Sequence, residues 1–350
     1  MQHYANNVQK IALIQVKLNF FAKKTLFVIT TITKGEIMTN FKKIGLTALA
    51  GSLAAATFAQ AGELTVSGTA TMEYQSTQDT AEASSDTFGQ NATITFSGSG
   101  ELDNGYTASM YQALSGGALT SQAVSLDMGD AGTLSIASAN LAGIGTIQDM
   151  VPNAGEQPWD DLGVDGTDHG TPEQGVASPH GGNRLGYSVN AGGATVSAAA
   201  SHANGAMTTS AAVQVSGLVD GLNVGAGLAT DQSAAGVEDD IETYYATYTM
   251  GSVSVGMQNT TIEKTAATSD IERDSYGITF SVNDNFSIGY GVSETTFEDT
   301  SLTLDEENTG IQASYTTGGM TIGLVNNKKD NAEGADKQME MTELKLTFAF

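Results

Sequence analysis

The sequence contains no cysteine, which excludes a disulfide framework, a thiolate metal site and a cysteine nucleophile. Proline occurs only four times and tryptophan once. From residue 62 onward there is no run of 18 apolar residues, so no transmembrane helix can be drawn there. Long Leu/Glu/Lys stretches of the kind that form helices are also scarce in that region. Positive charge is sparse: 14 Lys and Arg stand against 39 Asp and Glu, a formal net charge of −25. That balance excludes nucleic acid, whose phosphates need basic partners, and electrostatic docking on an anionic membrane surface. No H-E-x-x-H motif accompanies His169 and His180, and a Gly/Pro-rich segment would hold ligands imprecisely, so no hydrolase metal site is expected. With no catalytic constellation, the sequence does not read as an enzyme.

What is present is glycine, 41 residues of it, with much Ser, Thr, Ala and Asn, a composition suited to strands joined by turns. The N-terminal part has a separate logic. Met38-Thr39-Asn40-Phe41-Lys42-Lys43 is a short basic region, residues 44–58 are small and apolar, and Ala59-Gln60-Ala61 is an A-x-A cleavage pattern. Residues 38–61 are therefore expected to be a secretory signal peptide, cut after Ala61. Residues 1–37 are most simply the product of an upstream start codon, with Met38 the true start; a genuine N-terminal extension is the alternative. Cleavage removes seven bases and one acid, leaving seven bases against 38 acids, a net of −31.

From residue 62 the apolar residues alternate. Leu64, Val66, Ala70, Met72 and Tyr74 fall on one face, and Glu63, Thr65, Ser67, Thr69, Thr71 and Glu73 on the other. The same arrangement closes the chain, with Leu344, Leu346, Phe348 and Phe350 opposed by Glu343, Lys345 and Thr347. One such segment alone fits a half-buried strand of a soluble sandwich. Sixteen can be placed, near 62–75, 88–99, 105–115, 118–128, 132–140, 183–190, 193–202, 206–216, 221–231, 240–250, 252–262, 272–282, 286–296, 308–317, 319–327 and 338–350. Short connections carry turn chemistry, as in Asp103-Asn104-Gly105 and Gly192-Gly193, and alternate imperfectly with longer acidic ones at 76–87, 232–239, 263–271, 297–307 and 328–337. A ten-residue strand rises about 33 Å and, tilted by about 45°, covers roughly 23 Å, close to the apolar band of an outer-membrane barrel. An all-β, 16-stranded antiparallel transmembrane β-barrel is the expected fold, occupying residues 62–350, with aromatic-girdle candidates at Tyr74, Tyr106, Tyr244, Tyr248, Phe348 and Phe350.

One connection is far longer than the rest. Residues 141–182 hold all four prolines, the only tryptophan, and the acids Asp149, Glu156, Asp160, Asp161, Asp165, Asp168 and Glu173, with no Lys or Arg until Arg184. The tail ELKLTFAF ending in Phe350, the turn ELDNGYT at 101–107, and this long segment leading into NRLGYSV at 183–189 together resemble the general diffusion porins of Gram-negative bacteria, in particular the alphaproteobacterial type. The resemblance implies an outer-membrane homotrimer embedded in lipid, passing small ions and hydrophilic solutes by diffusion. It implies an inward-folded third external loop, here 141–182, with the seven acids and Arg184 at the pore constriction. It also implies that Leu344, Leu346, Phe348 and Phe350 act as the assembly signal read by the barrel-assembly machinery.

Carboxylates at the narrowest point, focused by low-dielectric walls, would favour cations. Members of the family often oppose such acids with wall Arg and Lys. Here only Arg184 and Arg273 are Arg and few Lys fall within the expected strands, so plain cation preference is expected in place of a strong transverse field. Asp160, Asp161, Asp165 and Asp168 could bind calcium, though their spacing is not an EF-hand loop and a solvated acidic loop is the commoner outcome. No other cofactor is implied. The competing function is a secreted acidic β-rich adhesin or surface-layer protein, with or without calcium dependence. The C-terminal aromatic alternation, the single 42-residue connection and the absence of a G-G-x-G-x-D repeat argue for the channel.

Overall fold

The computed structural model describes residues 64–79, 84–160, 162, 183–203, 206–234, 237–265, 269–299 and 302–350. The expected signal peptide and upstream segment, and Asp161, Asp165, Asp168 and Glu173, lie outside the described residues.

Sixteen strands follow one another: β1 (Leu64–Asp79), β2 (Ser85–Glu101), β3 (Thr107–Ser115), β4 (Ala118–Asp127), β5 (Thr133–Ala137), β6 (Arg184–Ala191), β7 (Ala194–Ala203) and β8 (Ala206–Ser216), then β9 (Leu222–Ala234), β10 (Val237–Met250), β11 (Val253–Glu263), β12 (Ile271–Asn283), β13 (Phe286–Phe297), β14 (Glu306–Thr317), β15 (Met320–Asp330) and β16 (Gln338–Ala349). Each pairs antiparallel with its sequence neighbours, and β16 pairs with β1 to close the barrel. Closure leaves no open edge for another chain to extend. At the seam Ala70, Met72 and Tyr74 stand opposite Phe348, Leu346 and Leu344, so the first and last alternating patterns lie side by side on one face.

The two faces of the wall are inverted relative to a soluble protein. On β12, Tyr276, Ile278 and Phe280 are 51%, 45% and 41% exposed, whereas Arg273 on the same strand is buried at 1%. On β14, Ile311 is 63% exposed, while Glu306, Asn308 and Gln312 are buried. An exposed apolar face of this extent is stable only against an apolar solvent, as the closed hydrogen-bonded wall of a membrane barrel requires.

The strands differ from the sequence expectation mainly at one end. Two of the segments expected as acidic loops are largely strand, since β1 runs to Asp79, β2 starts at Ser85, β9 runs to Ala234 and β10 starts at Val237; two more are shortened, β14 starting at Glu306 and β15 continuing to Asp330. In these extensions the ladder persists, as in the pairing of Glu307 with Asp330, but both faces carry polar side chains. Period-2 hydrophobicity therefore stops while the backbone pairing continues. β5 errs the other way, ending at Ala137 where a strand to residue 140 was expected. The Ser138 hydroxyl accepts the Gln122 N–H at 2.9 Å, and the chain then leaves the sheet.

Tight turns join the other ends. Gly192 and Gly193 both have positive φ (61° and 89°), the geometry of the two-residue hairpin turn between β6 and β7.

Candidate functional site

The segment that leaves β5 begins with a short 3-10 turn, Gly143–Ile147. Gly143 has a φ of +70°, and a side chain there would collide with Ala199 and Ser210. Its N–H donates to the Ser197 hydroxyl of β7 at 3.1 Å, and the next N–H, from Ile144, to the Ser210 hydroxyl of β8 at 3.2 Å. Ile144 and Ile147 are fully buried against Ala212, Ala229, Ile241, Tyr245 and Ile262, which belong to β8 through β11.

The chain then crosses the following strands in order. Gln258 of β11 accepts the Met150 N–H at 2.9 Å and donates to the carbonyls of Ile147 and Gln148 at 2.9 and 3.1 Å. Gln312 of β14 accepts the Ala154 N–H at 2.9 Å. The Asn327 amide of β15 donates to the carbonyls of Gln157 (2.9 Å) and Asp160 (3.2 Å). Leu162 is buried among Val325, Met339 and Met341 of β15 and β16. Each of these amide contacts satisfies a backbone group of an irregular segment, which would otherwise be buried unpaired. All lie on the buried polar face of the wall, the face that carries Arg273 and Glu306.

Charged groups complete the contact. Glu306, with no exposed surface, accepts from Arg273 at 3.3 Å and from the Asn308 amide at 3.0 Å, and its other oxygen accepts the Glu333 N–H at 2.9 Å. Lys329 lies 3.8 Å from the same carboxylate. Arg273 also donates to the Thr295 hydroxyl at 2.7 Å and sits over the Trp159 ring. A buried arrangement of this kind holds only while the charges are paired and hydrogen-bonded.

The expected site residues divide. Glu156 pairs with Lys345 of β16, which also lies 2.8 Å from Glu343. The Asp160 carboxylate accepts the Gln157 N–H at 2.9 Å, closing a local turn. Asp149 has open surface on its side chain yet is enclosed by surrounding protein; burial pushes its carboxyl up to about 6, while the Arg273 charge pulls the other way. Arg184, buried at the start of β6, donates to the Asn140 side chain. The structure thus brings Asp149, Glu156 and Asp160 onto one segment and seats Arg184 beside its origin. Among the described residues, no group of three or more His, Asp or Glu is arranged to hold a metal ion.

One expectation is corrected. Lys328 and Lys329, expected in a loop, lie in β15, so the strands hold these two bases besides Lys345, Arg184 and Arg273. Lys328 and Lys329 fell into an expected loop because β15 continues beyond its apolar residues. Sequence reasoning also missed Gln258, Gln312, Asn327 and Glu306, the wall groups that hold the segment. Their signal was polarity at the non-lipid positions of otherwise regular strands, which any wet barrel interior would also produce.

Comparison with known proteins agrees with this geometry. The family model for the Gram-negative porin matches residues 45–350. No curated protein matches the chain. Among solved structures, a porin is 18% identical with a TM-score of 0.60, covering 82% of this chain and all of that one. A loop-deletion mutant of OmpT, an outer membrane protein of Vibrio cholerae, is 14% identical with a TM-score of 0.61, covering 83% of this chain and 100% of its own. An anion-selective porin from Comamonas acidovorans is 17% identical with a TM-score of 0.60, again covering 83% and 100%. At these identities the solved structures speak to the fold; the family rests on the match over most of the chain. The chain belongs to the Gram-negative porin family and is a diffusion channel of the outer membrane.

Proposed function

We propose that this porin is a cation-preferring channel whose segment 141–182 folds into the lumen as the constriction. The observation that carries the reading is the order of contacts along the described part of that segment: β7 and β8 first, then β11, β14, β15 and β16, all on the polar face. Ten strands of wall span about 43 Å of arc at about 4.8 Å per strand. Some twenty residues cross that arc while also forming turns, which is shorter work along the inside of a closed wall than along the outside. An external course would also bury Arg273, Lys329 and Glu306 on the lipid side, at a cost no pairing offsets.

Cation preference follows from how the charges pair. Lys345 meets Glu156 and Glu343, and Arg273 and Lys329 meet Glu306, so these wall bases are neutralised at close range. The acids of the segment outnumber them, and Asp149 keeps a water-accessible carboxylate. The anion-selective neighbour from Comamonas acidovorans marks the opposite outcome on the same fold. The adhesin reading is not favoured, since it leaves the exposed apolar wall without a solvent. We read the assembly as a homotrimer, supported by a solved neighbour described as the trimer form of OmpT, with Leu344, Leu346, Phe348 and Phe350 as the signal for the barrel-assembly machinery and residues 38–61 as the leader removed beforehand.

Planar-bilayer recording across a salt gradient is the test. A reversal potential of the sign set by cation flow is expected. An anion-preferring potential sinks the selectivity, and the absence of any channel activity from folded protein sinks the function.

A further inference from the structure

Four strands carry glycine at the same level of the wall. Gly256 of β11 stands opposite Gly277 of β12, Gly277 opposite Gly291 of β13, Gly291 opposite Gly310 of β14, and Gly310 opposite Asn327 of β15. Such a row forgoes four cross-strand side-chain contacts that ordinarily stabilise a sheet. Each of its members faces the segment. A Cβ at Gly256 would lie 2.5 Å from Pro152 Cδ, and one at Gly277 would lie 2.5 Å from the Pro152 carbonyl oxygen. One at Gly291 would lie 3.1 Å from the Pro158 ring, and one at Gly310 would meet the Asn327 Oδ1 first and lie 2.9 Å from Pro158 Cα and Cβ. At the end of the row Asn327 donates to the Gln157 and Asp160 carbonyls.

We infer that this row is a seat cut into the wall for residues 151–158, and that it sets how wide the aperture beside them is. Pro152 rests at one end and Pro158 at the other, and their fixed φ holds the stretch between them at a constant stand-off. The four glycines are positioning residues: they touch no solute, but a side chain at any of them displaces the segment toward the open part of the lumen. The inference rests on the constriction reading above.

The test is single-channel conductance and the size limit for neutral sugars in liposome swelling, for protein shown to be folded by heat-modifiable migration. Gly310→Ala and Gly291→Ala should both lower conductance and the size limit. Gly323→Ala should not, because a Cβ there meets only Lys345, at 3.8 Å. Adding Pro158→Ala should restore the Gly291→Ala channel, whose clash is with ring atoms that alanine lacks, but not Gly310→Ala, whose clash is with the Asn327 amide and with Pro158 Cα and Cβ, which alanine keeps. If Gly310→Ala fails to fold, Gly291→Ala carries the test through its looser contact. Wild-type conductance and size limit in both alanine variants would overturn the seat. Glu156→Lys separates the two ideas: unmoved ion selectivity would remove the segment from the ion path, whereas a shifted selectivity with unaltered alanine variants would overturn the seat alone.

Discussion

The guanidinium of Arg273, on β12, lies 5.8 Å from the centre of the Trp159 ring, on the segment that crosses the wall. Trp159 is the only tryptophan in the chain and is 3% exposed, so its emission reports on the docking of that segment. We expect blue-shifted fluorescence and poor quenching by acrylamide in the folded barrel. Asn327→Leu removes both donors to the Gln157 and Asp160 carbonyls, leaving buried acceptors unmatched at about 1–3 kcal/mol. Its quenching constant should rise while the barrel remains folded. Quenching equal to wild type would show that these two bonds do not hold Trp159 in place.

Glu306 is the point on which two buried cations depend. Glu306→Gln keeps the shape and removes the buried carboxylate charge that faces both Arg273 and Lys329. A loss of about 3–5 kcal/mol is expected, read as a lower temperature for the heat-modifiable transition. Its exposed neighbour on the opposite face, Glu307, should tolerate the same change within about 0.5 kcal/mol. Equal transitions for the two variants would contradict the buried network.

The Asp149 carboxyl, pushed up to about 6, should gain a proton near that pH instead of near the ordinary 3.8. Its negative charge is present above the raised value and is lost as pH falls through it. Cation preference should therefore decline between about pH 7 and pH 5, and the decline should be absent in Asp149→Asn. Superimposable pH profiles of reversal potential for the two proteins would remove Asp149 from the ion path.

Lys345 is shared between two acids, Glu156 and Glu343. Lys345→Met removes the positive charge between them and should strengthen cation preference. Glu156→Gln should weaken it only slightly, because the lysine it releases still has Glu343. A fall in cation preference in Lys345→Met would contradict this charge assignment.

The barrel was legible in the sequence because lipid imposes a strict rule. Leu344, Leu346 and Phe348 had to alternate, and so did Tyr276, Ile278 and Phe280, whatever lay on the other face. Where lipid ends the rule lapses, and β15 ran on through Lys328 and Lys329 without a hydrophobic signal. The site was legible by segment and not by partner. Proline, tryptophan and acid content marked residues 141–182, but nothing local told that Glu156 would meet Lys345, 189 residues away. The strand glycines at 256, 277, 291 and 310 read only as turn-rich composition. Isolated glycine inside a strand can mark a close backbone approach, but seeing four of them as one row needs the register.

The seam between β1 and β16 joins the two ends of the barrel-forming chain, with Phe350 donating its N–H to the Gly68 carbonyl. Synthesis runs from the Gly68 end, so the barrel cannot seal until β16 has been made. Until then β1 keeps an unpaired edge and the apolar positions have no settled surroundings. The seam therefore forms late, and it rests on eleven paired positions from Thr69↔Ala349 to Asp79↔Met339, so removing β16 as a whole would reopen the circle.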